Sequence, residues 1–350
     1  MQFYTQSHRF YCGVDLHTRK MYLCILNSEG ENVFHRNLKA SPKAFLKAVS
    51  PFREDLVVCC ECMHCWYWLA DLCYEEGIPF VLGHAFYMKA IYGAKSKNDR
   101  LDSERIARLL RGGVIPMSYV YPHEMRATRD LLRRRSHFVR KRTELFAHLQ
   151  GLSSQNNLPE FAGRITSASN REEFLERFEV CPSLDRSAQA DQGLIEHYNR
   201  MIPDLERFIE KEIKEDAVAG YYLLRSIPGI GRILAMTILY EIHRIDRFQT
   251  CRKFASYARL VRCQHSSNGK ISGHGGRKMG SMHLKWAFSE ASAYFLRGNT
   301  RGQELLAQLE KKHGKGAALS ILAHKLGRTV YYMLQRNQPF NARLFYRDSA

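Results

Sequence analysis

The first 117 residues alternate short apolar runs with amphipathic stretches, and this pattern predicts a mixed α/β sheet. Five runs have the length and composition of strands: residues 10–17, 21–26, 32–38, 55–61 and 78–82. The predicted helices cover residues 41–49 and 66–76, and a third helix begins at Asp99. The elements therefore follow the order three strands, helix, strand, helix, strand, helix.

The rest of the chain is predicted to be mainly helical. Residues 153–190 have little periodicity and predict a loop-rich or partly helical insert, whereas residues 194–215 carry an apolar seam at helical spacing. The seam consists of Ile195, Tyr198, Ile202, Leu205, Ile209 and Ile213. These changes of pattern predict three domains: residues 1–117, a basic helical region at 118–217, and residues 218–350.

The charge balance indicates a polyanionic partner. Lys and Arg number 53 against 35 acids, which gives a net charge of +18 and a pI near 9.5. A membrane surface is the weaker interpretation, because no apolar run reaches about 18 residues. The first residues lack the apolar core of a signal peptide, and ten cysteines in 350 residues do not suggest a small disulfide scaffold. A cytoplasmic protein that binds nucleic acid is expected.

Two features are candidates for that binding. Residues 126–142 combine many cations with a helical apolar stripe, and a solvated helix would mix the two signs of charge more evenly. The candidates there are Arg133, Arg134, Arg135, Arg140, Lys141 and Arg142. Farther on, Pro228-Gly229-Ile230-Gly231 lies between two helical patterns, as in a helix-hairpin-helix unit. Gly229, Gly231 and Arg232 could meet a phosphate there, although a plain tight turn would have the same composition.

Four acids are candidates for a metal centre. Asp15 and Glu61 each end a predicted strand, and Asp99 and Asp102 share one helix face because they are three residues apart. The element order fits the ribonuclease H fold, in which carboxylates from these positions converge on one face of the sheet. Four such acids could hold two Mg²⁺ or Mn²⁺ ions for phosphoryl transfer. Taken singly, each could be a solvated acid at a strand end or helix start.

The cysteines offer a competing metal site. Cys62 and Cys65 have the spacing of zinc ligands, and Cys59 and Cys60 precede them. No second, separate pair with that spacing exists, and Cys59 and Cys60 lie in an apparent buried strand, where a free cysteine behaves as a small hydrophobic residue. A structural zinc site is therefore the less favoured interpretation of these cysteines.

Three segments together resemble the DEDD signature of an insertion-sequence transposase family: residues 12–15, the strand that ends in Glu61, and residues 97–103. That family includes the Piv-like DNA invertases and the recombinases guided by a bridge RNA. The resemblance implies a RuvC-like α/β domain of ribonuclease H fold, a helical coiled-coil linker and a mainly helical C-terminal domain. The chain departs from the usual pattern at Cys62-Met63-His64, where a Thr-Gly pair is common, and at Asn98, where threonine is common.

The resemblance also implies a nucleophilic serine in the C-terminal domain. Ser267 occupies that position and Ser266 precedes it, so the choice between them stays open, with Ser267 favoured. Lys270, Arg277 and Lys278 follow, and with Arg232 they are candidates for charge stabilisation or contact with the nucleic-acid backbone.

A recombinase that moves its own element is the function that this resemblance implies. Its expected partners are the DNA of the element ends and target, a structured guide RNA, and further copies of the chain in a dimer or tetramer, acting near the nucleoid. A site shared between protomers is expected, because the acids and the serine belong to different domains. Three alternatives remain: a metal-dependent Holliday-junction endonuclease that uses water, a site-specific invertase, and a nucleic-acid-binding protein without enzymatic activity.

Overall fold

The computed structural model describes residues 2–91, 98–213, 215–261, 263–267, 270–275 and 279–347; for residues 215–217, 263–267 and 270–275 it describes the backbone. The contacts within the chain define two units, Met1–Glu124 and Met125–Ala350. The division of the chain into three domains stays a prediction.

The N-terminal unit is built on a five-stranded sheet in the order β3-β2-β1-β4-β5. Its strands are β1 Phe10–Leu16, β2 Lys20–Asn27, β3 Asn32–Lys39, β4 Leu56–Glu61 and β5 Phe80–Gly83. Neighbouring pairs among β1, β2 and β3 are antiparallel, and β4 is parallel to both β1 and β5. The helices are α1 Pro42–Val49, α2 Tyr67–Glu75, α3 Ala85–Ile91 and α4 Asp99–Arg111. The predicted mixed α/β sheet is confirmed and is consistent with a ribonuclease H-like unit, whereas α3 was not predicted.

Helices cover both faces of this sheet, which explains why β4 is apolar along nearly its whole length. Val58 and Cys60 point to one side and pack in the same cluster as residues of α1 and α2. Val57 and Cys59 point to the other side and pack with residues of α3 and α4. The central strand is buried on two sides, so only its ends can present side chains to solvent.

The C-terminal unit is mainly helical. Its helices are α5 His123–Gln155, α6 Ala168–Glu176, α7 Pro182–Lys211, α8 Glu215–Arg225, α9 Arg232–Ile242, α10 Cys251–Tyr257, α11 Met282–Phe295, α12 Thr300–His313, α13 Lys315–Arg336 and α14 Ala342–Arg347. A two-stranded antiparallel hairpin, β6 Cys263–Ser267 and β7 Lys270–Gly275, lies between α10 and α11 in the chain. The larger apolar core of the unit is built around Tyr240, Phe254 and Phe288.

Helices α5 and α7 form an antiparallel pair. Their polar contacts run in opposite directions along the two helices and join Arg135 to Glu206 at 2.7 Å, Arg142 to Asn199 at 2.7 Å, and His148 to Asp191 at 2.5 Å. The buried positions of α7 recur every seven residues, at Ala188, Ile195, Ile202 and Ile209. The predicted apolar seam is thus buried largely within the chain itself, which makes it a packing feature.

Helices occupy part of the predicted insert, and a hairpin occupies the predicted serine loop. Helix α6 and the start of α7 lie inside the predicted insert at 153–190, where Phe174, Phe178 and Ala188 are buried with Phe146 of α5. The polar residues on the outer faces of these helices hid the periodicity, and Pro182 is tolerated because it occupies the first turn of α7. The predicted serine loop contains the backbone of the β6–β7 hairpin.

Candidate metal centre and nucleic-acid contacts

A glycine in β1 allows α4 to lie directly against the sheet. A Cβ atom on Gly13 would come within 2.2 Å of the Ser103 carbonyl oxygen and 2.4 Å of the Ala107 backbone nitrogen. Any side chain at this position would therefore displace the helix. The Asn98 side chain caps α4 by accepting a hydrogen bond from the Arg100 backbone N–H at 3.0 Å. The close contact and the cap together fix the first turn of α4 beside β1.

This packing brings together two acids that are 84 positions apart in the chain. The side chains of Asp15 and Asp99 and the imidazole of His17 form a group whose ligand atoms all lie within 4.8 Å of one another. The Nε2 atom of His17 lies 3.3 Å from Oδ2 of Asp15 and 3.6 Å from Oδ2 of Asp99. The Asp15 side chain is 15% exposed and that of Asp99 is 50% exposed, so the group opens to solvent on one side.

The electrostatics of Asp15 show that the acids oppose one another. Burial raises the pKa of Asp15; the His17 imidazole opposes that rise, and the negative charges of Asp99 and Asp102 add to it. The net pKa of Asp15 is raised. A cation that binds from outside the chain would stabilise the ionised form of Asp15.

The donors in this group fit a divalent cation. Two ligand atoms that bind one ion at about 2.1 Å and at right angles are about 3 Å apart. The 3.3 and 3.6 Å separations are slightly longer, so small side-chain movements would complete such an arrangement. Carboxylate oxygens suit Mg²⁺ and Mn²⁺, and imidazole nitrogen suits transition metals. Among the described residues this is the group of acids, histidines and cysteines whose spacing could hold an ion.

The other two predicted acids lie near this group in the fold but not within it. Glu61 ends β4, and Val14 pairs with Cys60, so Asp15 and Glu61 leave the sheet at the same edge on adjacent strands. Asp102 lies in the first turn of α4, where Arg105 donates a hydrogen bond to its carboxylate at 2.8 Å. Asp102 still influences the pKa of Asp15, which shows that its charge is nearby. A centre of all four acids stays a prediction.

His17 is the member of the group that sequence reasoning missed. The strand pattern places His17 at the end of the first predicted strand and indicates no chemical role for it. The available signal was its spacing, because residues i and i+2 on an extended segment point to the same side. A strand that ends Asp-x-His presents an acid and an imidazole together, and Asp15 and His17 follow that pattern.

The cysteine alternative gains no support within the part of the chain that the structure describes. Cys59 and Cys60 are buried, and burial raises the pKa of both thiols. Cys62 is exposed, and Cys65 is partly exposed. Cys59 and Cys60 therefore behave as residues of the apolar core.

The cations of α5 divide into two sets. Arg133 donates hydrogen bonds to both carboxylate oxygens of Glu241 at 2.6 and 3.0 Å, and Arg135 and Arg142 contact α7 as described above. These three side chains therefore join helices within the unit. Arg134, Arg140 and Lys141 are exposed; the guanidinium of Arg134 lies 4.5 Å from the ring centre of Phe138, and Lys141 pairs with Glu144. Binding of nucleic acid by any of the six stays a prediction.

The Pro-Gly-x-Gly turn joins α8 to α9, and its two glycines differ in environment. Gly229 has φ +83°, and a Cβ atom there would lie 2.3 Å from the Phe295 backbone nitrogen, so this glycine serves packing against α11. A Cβ atom on Gly231 would meet nothing within 4 Å. Arg232 donates a hydrogen bond to Glu210 at 2.8 Å. A cleft of about 890 Å³ is lined by this turn, α7 and Tyr294. The open side of the turn is thus at Gly231.

The predicted serine and its neighbouring cations are described only in part. Ser266 and Ser267 lie on β6, and Lys270 begins β7, where Ser267 pairs with Lys270 in the register of the hairpin. Arg277 and Lys278 lie outside the described residues. The roles of these five residues stay predictions.

Comparisons with known proteins identify the class of protein as a DEDD transposase. A family model of DEDD transposases of the IS110 type matches residues 12–155, and one described as "Transposase IS116/IS110/IS902 family" matches residues 221–307. The chain belongs to the IS110/IS116 family of insertion-sequence transposases.

Curated relatives cover nearly the whole chain. The transposase for insertion sequence element IS1111A of Coxiella burnetii is 25% identical over 94% of this chain and 90% of its own length. A probable family 20 transposase of Pseudomonas aeruginosa is 26% identical over 93% of this chain and 96% of its own length. Family membership implies DNA binding, cleavage and rejoining, and the DEDD motif suggests dependence on a divalent metal. None of the described helices is both long and apolar enough to cross a membrane.

Proposed function

We propose that this chain excises and inserts its own element by a serine-based recombination reaction, with Ser267 as the nucleophile and a structured RNA as the guide. The observation that carries the proposal is the convergence of Asp15, His17 and Asp99 at the edge of the sheet, in a chain of this transposase family. The serine, the guide RNA and an oligomeric assembly follow from the family resemblance of the sequence.

In the proposed step, the Ser267 oxygen attacks a DNA phosphorus atom and loses its proton to a nearby base. A serine–phosphate bond forms while the bond from phosphorus to the 3′ oxygen breaks, and the 3′ oxygen leaves as a hydroxyl after taking up a proton. Rejoining reverses these changes with a different 3′ hydroxyl. Lys270, Arg277, Lys278 and Arg232 would stabilise the charge of the phosphate or contact the backbone.

Asp15, Glu61, Asp99 and Asp102 would hold Mg²⁺ or Mn²⁺. Bound there, the ions would supply charge stabilisation for phosphoryl transfer. The four acids belong to the N-terminal unit and Ser267 to the C-terminal unit. From the family resemblance, we infer that the acids and the serine of a complete site come from different protomers of a dimer or tetramer.

The test is a covalent-capture assay. The purified full chain, its co-purified RNA, Mg²⁺ and labelled DNA with an element junction are incubated together, and DNA attached to protein is resolved on a denaturing gel. Attached DNA that disappears in Ser267→Ala and persists in Ser266→Ala supports the proposal. Persistence in Ser267→Ala with loss in Ser266→Ala moves the nucleophile to Ser266.

Two other outcomes would replace the proposal. Free cleavage that survives both serine changes and fails in Asp15→Asn indicates a junction nuclease that uses water. Binding without cleavage, with RNA supplied, indicates a nucleic-acid-binding protein. Sequencing of the co-purified RNA tests the guide, because a structured RNA that pairs with the DNA target is expected.

The exposed cations of α5 have a separate test. Arg134→Gln, Arg140→Gln and Lys141→Gln together should reduce the slope of log affinity against log salt by about 0.9 for each phosphate contact that is lost. The matched control is Arg186→Gln on α7, because Arg186 lies outside the basic run of α5. An unchanged salt slope in the triple variant would remove this face from the proposed interface.

A further inference from the structure

His17 is held in a fixed position beside the proposed metal centre. It follows the last residue of β1, and its backbone N–H donates a hydrogen bond to the Lys20 carbonyl oxygen at 2.9 Å, which closes the turn to β2. The turn fixes the Cα atom, so the imidazole can change position only by rotation about the side-chain bonds of His17. Asp15 lies two residues earlier on the same strand.

The ring of His17 faces two carboxylates that come from different elements. Its Nε2 atom lies 3.3 Å from Asp15 on β1 and 3.6 Å from Asp99 on α4. The side chain is 48% exposed, and an exposed ion pair contributes only about 0–1 kcal/mol to stability. Folding therefore gives little reason for an imidazole at this point, whereas a shared ion would require three ligand atoms facing one another.

We propose that His17 Nε2 is a ligand of the divalent ion that Asp15 and Asp99 bind, and that this makes the ion's environment one of mixed nitrogen and oxygen. The inference rests on the proposed function, which assigns a metal to these acids, and adds a nitrogen ligand to it. An imidazole ligand favours transition metals such as Mn²⁺ and Co²⁺ over Mg²⁺, which prefers oxygen ligands. The class of ligand at this position is thus a divalent transition-metal cation.

The test is pulsed electron paramagnetic resonance of Mn²⁺ added to the full chain, in which a directly bound imidazole gives a ¹⁴N hyperfine coupling. Wild type should show this coupling, and His17→Ala should lose it. The matched control is His123→Ala, because His123 also pairs with a carboxylate, that of Asp71 at 2.9 Å, but lies outside the group of three. The control should keep the coupling.

Titration of the same variants measures the selectivity. The Mn²⁺ dissociation constant should rise about tenfold or more in His17→Ala, and the Mg²⁺ dissociation constant should rise less. The ratio of the two constants should stay at the wild-type value in His123→Ala. Equal weakening of both ions would overturn the nitrogen-ligand assignment.

Two outcomes separate a failure of the His17 assignment from a failure of the carboxylate metal centre in the proposed function. Mn²⁺ that binds wild type, is lost in Asp15→Asn and shows no ¹⁴N coupling would overturn the role of His17 and leave the carboxylate centre intact. Mn²⁺ that binds wild type and Asp15→Asn equally, without ¹⁴N coupling, would overturn both.

Discussion

Two acids of this molecule have opposite surroundings. Glu241 of α9 is 2% exposed, receives two hydrogen bonds from Arg133 and one from Ser281, and lies 3.6 Å from Arg129. Burial alone would raise the pKa of Glu241, but the hydrogen bonds and charges of the arginines outweigh burial and lower it. Asp15 instead faces further acids and one histidine, and its pKa is raised.

This difference separates a structural acid from one that awaits a ligand. The charge of Glu241 is neutralised within the chain, so nothing further is needed there. Among the described residues, the group that contains Asp15 and Asp99 includes one imidazole and no arginine or lysine, so a cation from outside lowers the free energy of the two carboxylates. Buried acids that have arginine partners are expected to govern stability, and acids that face acids are expected to govern activity.

The largest effect expected from this comparison is on catalysis. Asp15→Asn removes one charge from the proposed centre and should lower the rate of DNA cleavage by about 10³-fold. The free energy of unfolding, measured without divalent metal, should stay the same or rise, because repulsion from Asp99 and Asp102 is removed. Single-turnover cleavage and urea denaturation measure the two quantities. Full cleavage activity in Asp15→Asn would contradict the proposed role of Asp15 in activity.

Glu241→Ala should instead lower the free energy of unfolding. Its loss leaves Arg129 and Arg133 without a buried carboxylate, and removing one partner of a buried pair costs about 3–5 kcal/mol. The free energy of unfolding from urea denaturation measures this cost. The matched control is Glu206→Ala, because Glu206 also pairs with an arginine but is more exposed, and it should lose about 1 kcal/mol or less. Equal losses in the two variants would contradict the structural role of Glu241.

A smaller effect is expected where α4 touches β1. Gly13→Ala adds a Cβ atom 2.2 Å from the Ser103 carbonyl oxygen, so α4 must move, at a cost of about 1–3 kcal/mol. The movement also separates Asp99 from Asp15, so Mn²⁺ affinity should fall in a binding titration. Gly151→Ala is the control, because a Cβ atom there meets nothing within 4 Å and a helical alanine should stabilise α5. Unchanged Mn²⁺ affinity in Gly13→Ala would show that the centre does not depend on this contact.

The smallest expected effect is that Glu241 and Asp15 change the pH dependence of stability in opposite directions. The folded pKa of Glu241 is lowered, so its contribution to stability is present above about pH 4.3 and is lost as the pH falls through the folded pKa. The folded pKa of Asp15 is raised, so its ionisation destabilises the fold above that pKa, and this penalty disappears as the pH falls towards about 3.9. Stabilities of Glu241→Gln and Asp15→Asn relative to wild type, measured by urea denaturation between pH 3 and 7 with a chelator, should diverge in opposite directions as the pH rises. Parallel curves would contradict the assignment.

The sequence predicted the sheet well because its signals are local. Strands such as β4 are short apolar runs that end at an acid, and Gly13 and Asn98 belong to motifs within a few residues. Asp15 and Asp99 were predicted to meet because the element order fixes which strand lies beside which helix. Glu61 and Asp102 lie in the same region of the fold. Where their carboxylates point depends on rotamers and on partners such as Arg105, and no local sequence pattern encodes these.

The basic helix was harder to interpret for a similar reason. Periodicity shows that α5 has an apolar stripe, but it does not show which cations meet an acid far along the chain. Arg133 and Glu241 are 108 positions apart, and Arg135 and Glu206 are 71 apart. The sequence therefore identifies the cations of α5, whereas their division into internal and exposed side chains required tertiary structure.

The pairing of α5 with α7 has a mechanical consequence. A helix of 33 residues is about 50 Å long, and its three polar rungs to α7 would all be broken together by a slip of one turn. Two helices joined in this way resist sliding past each other. The pairing therefore holds the apolar cluster around Phe174 and Phe178 at a set position along α5 relative to the core around Tyr240.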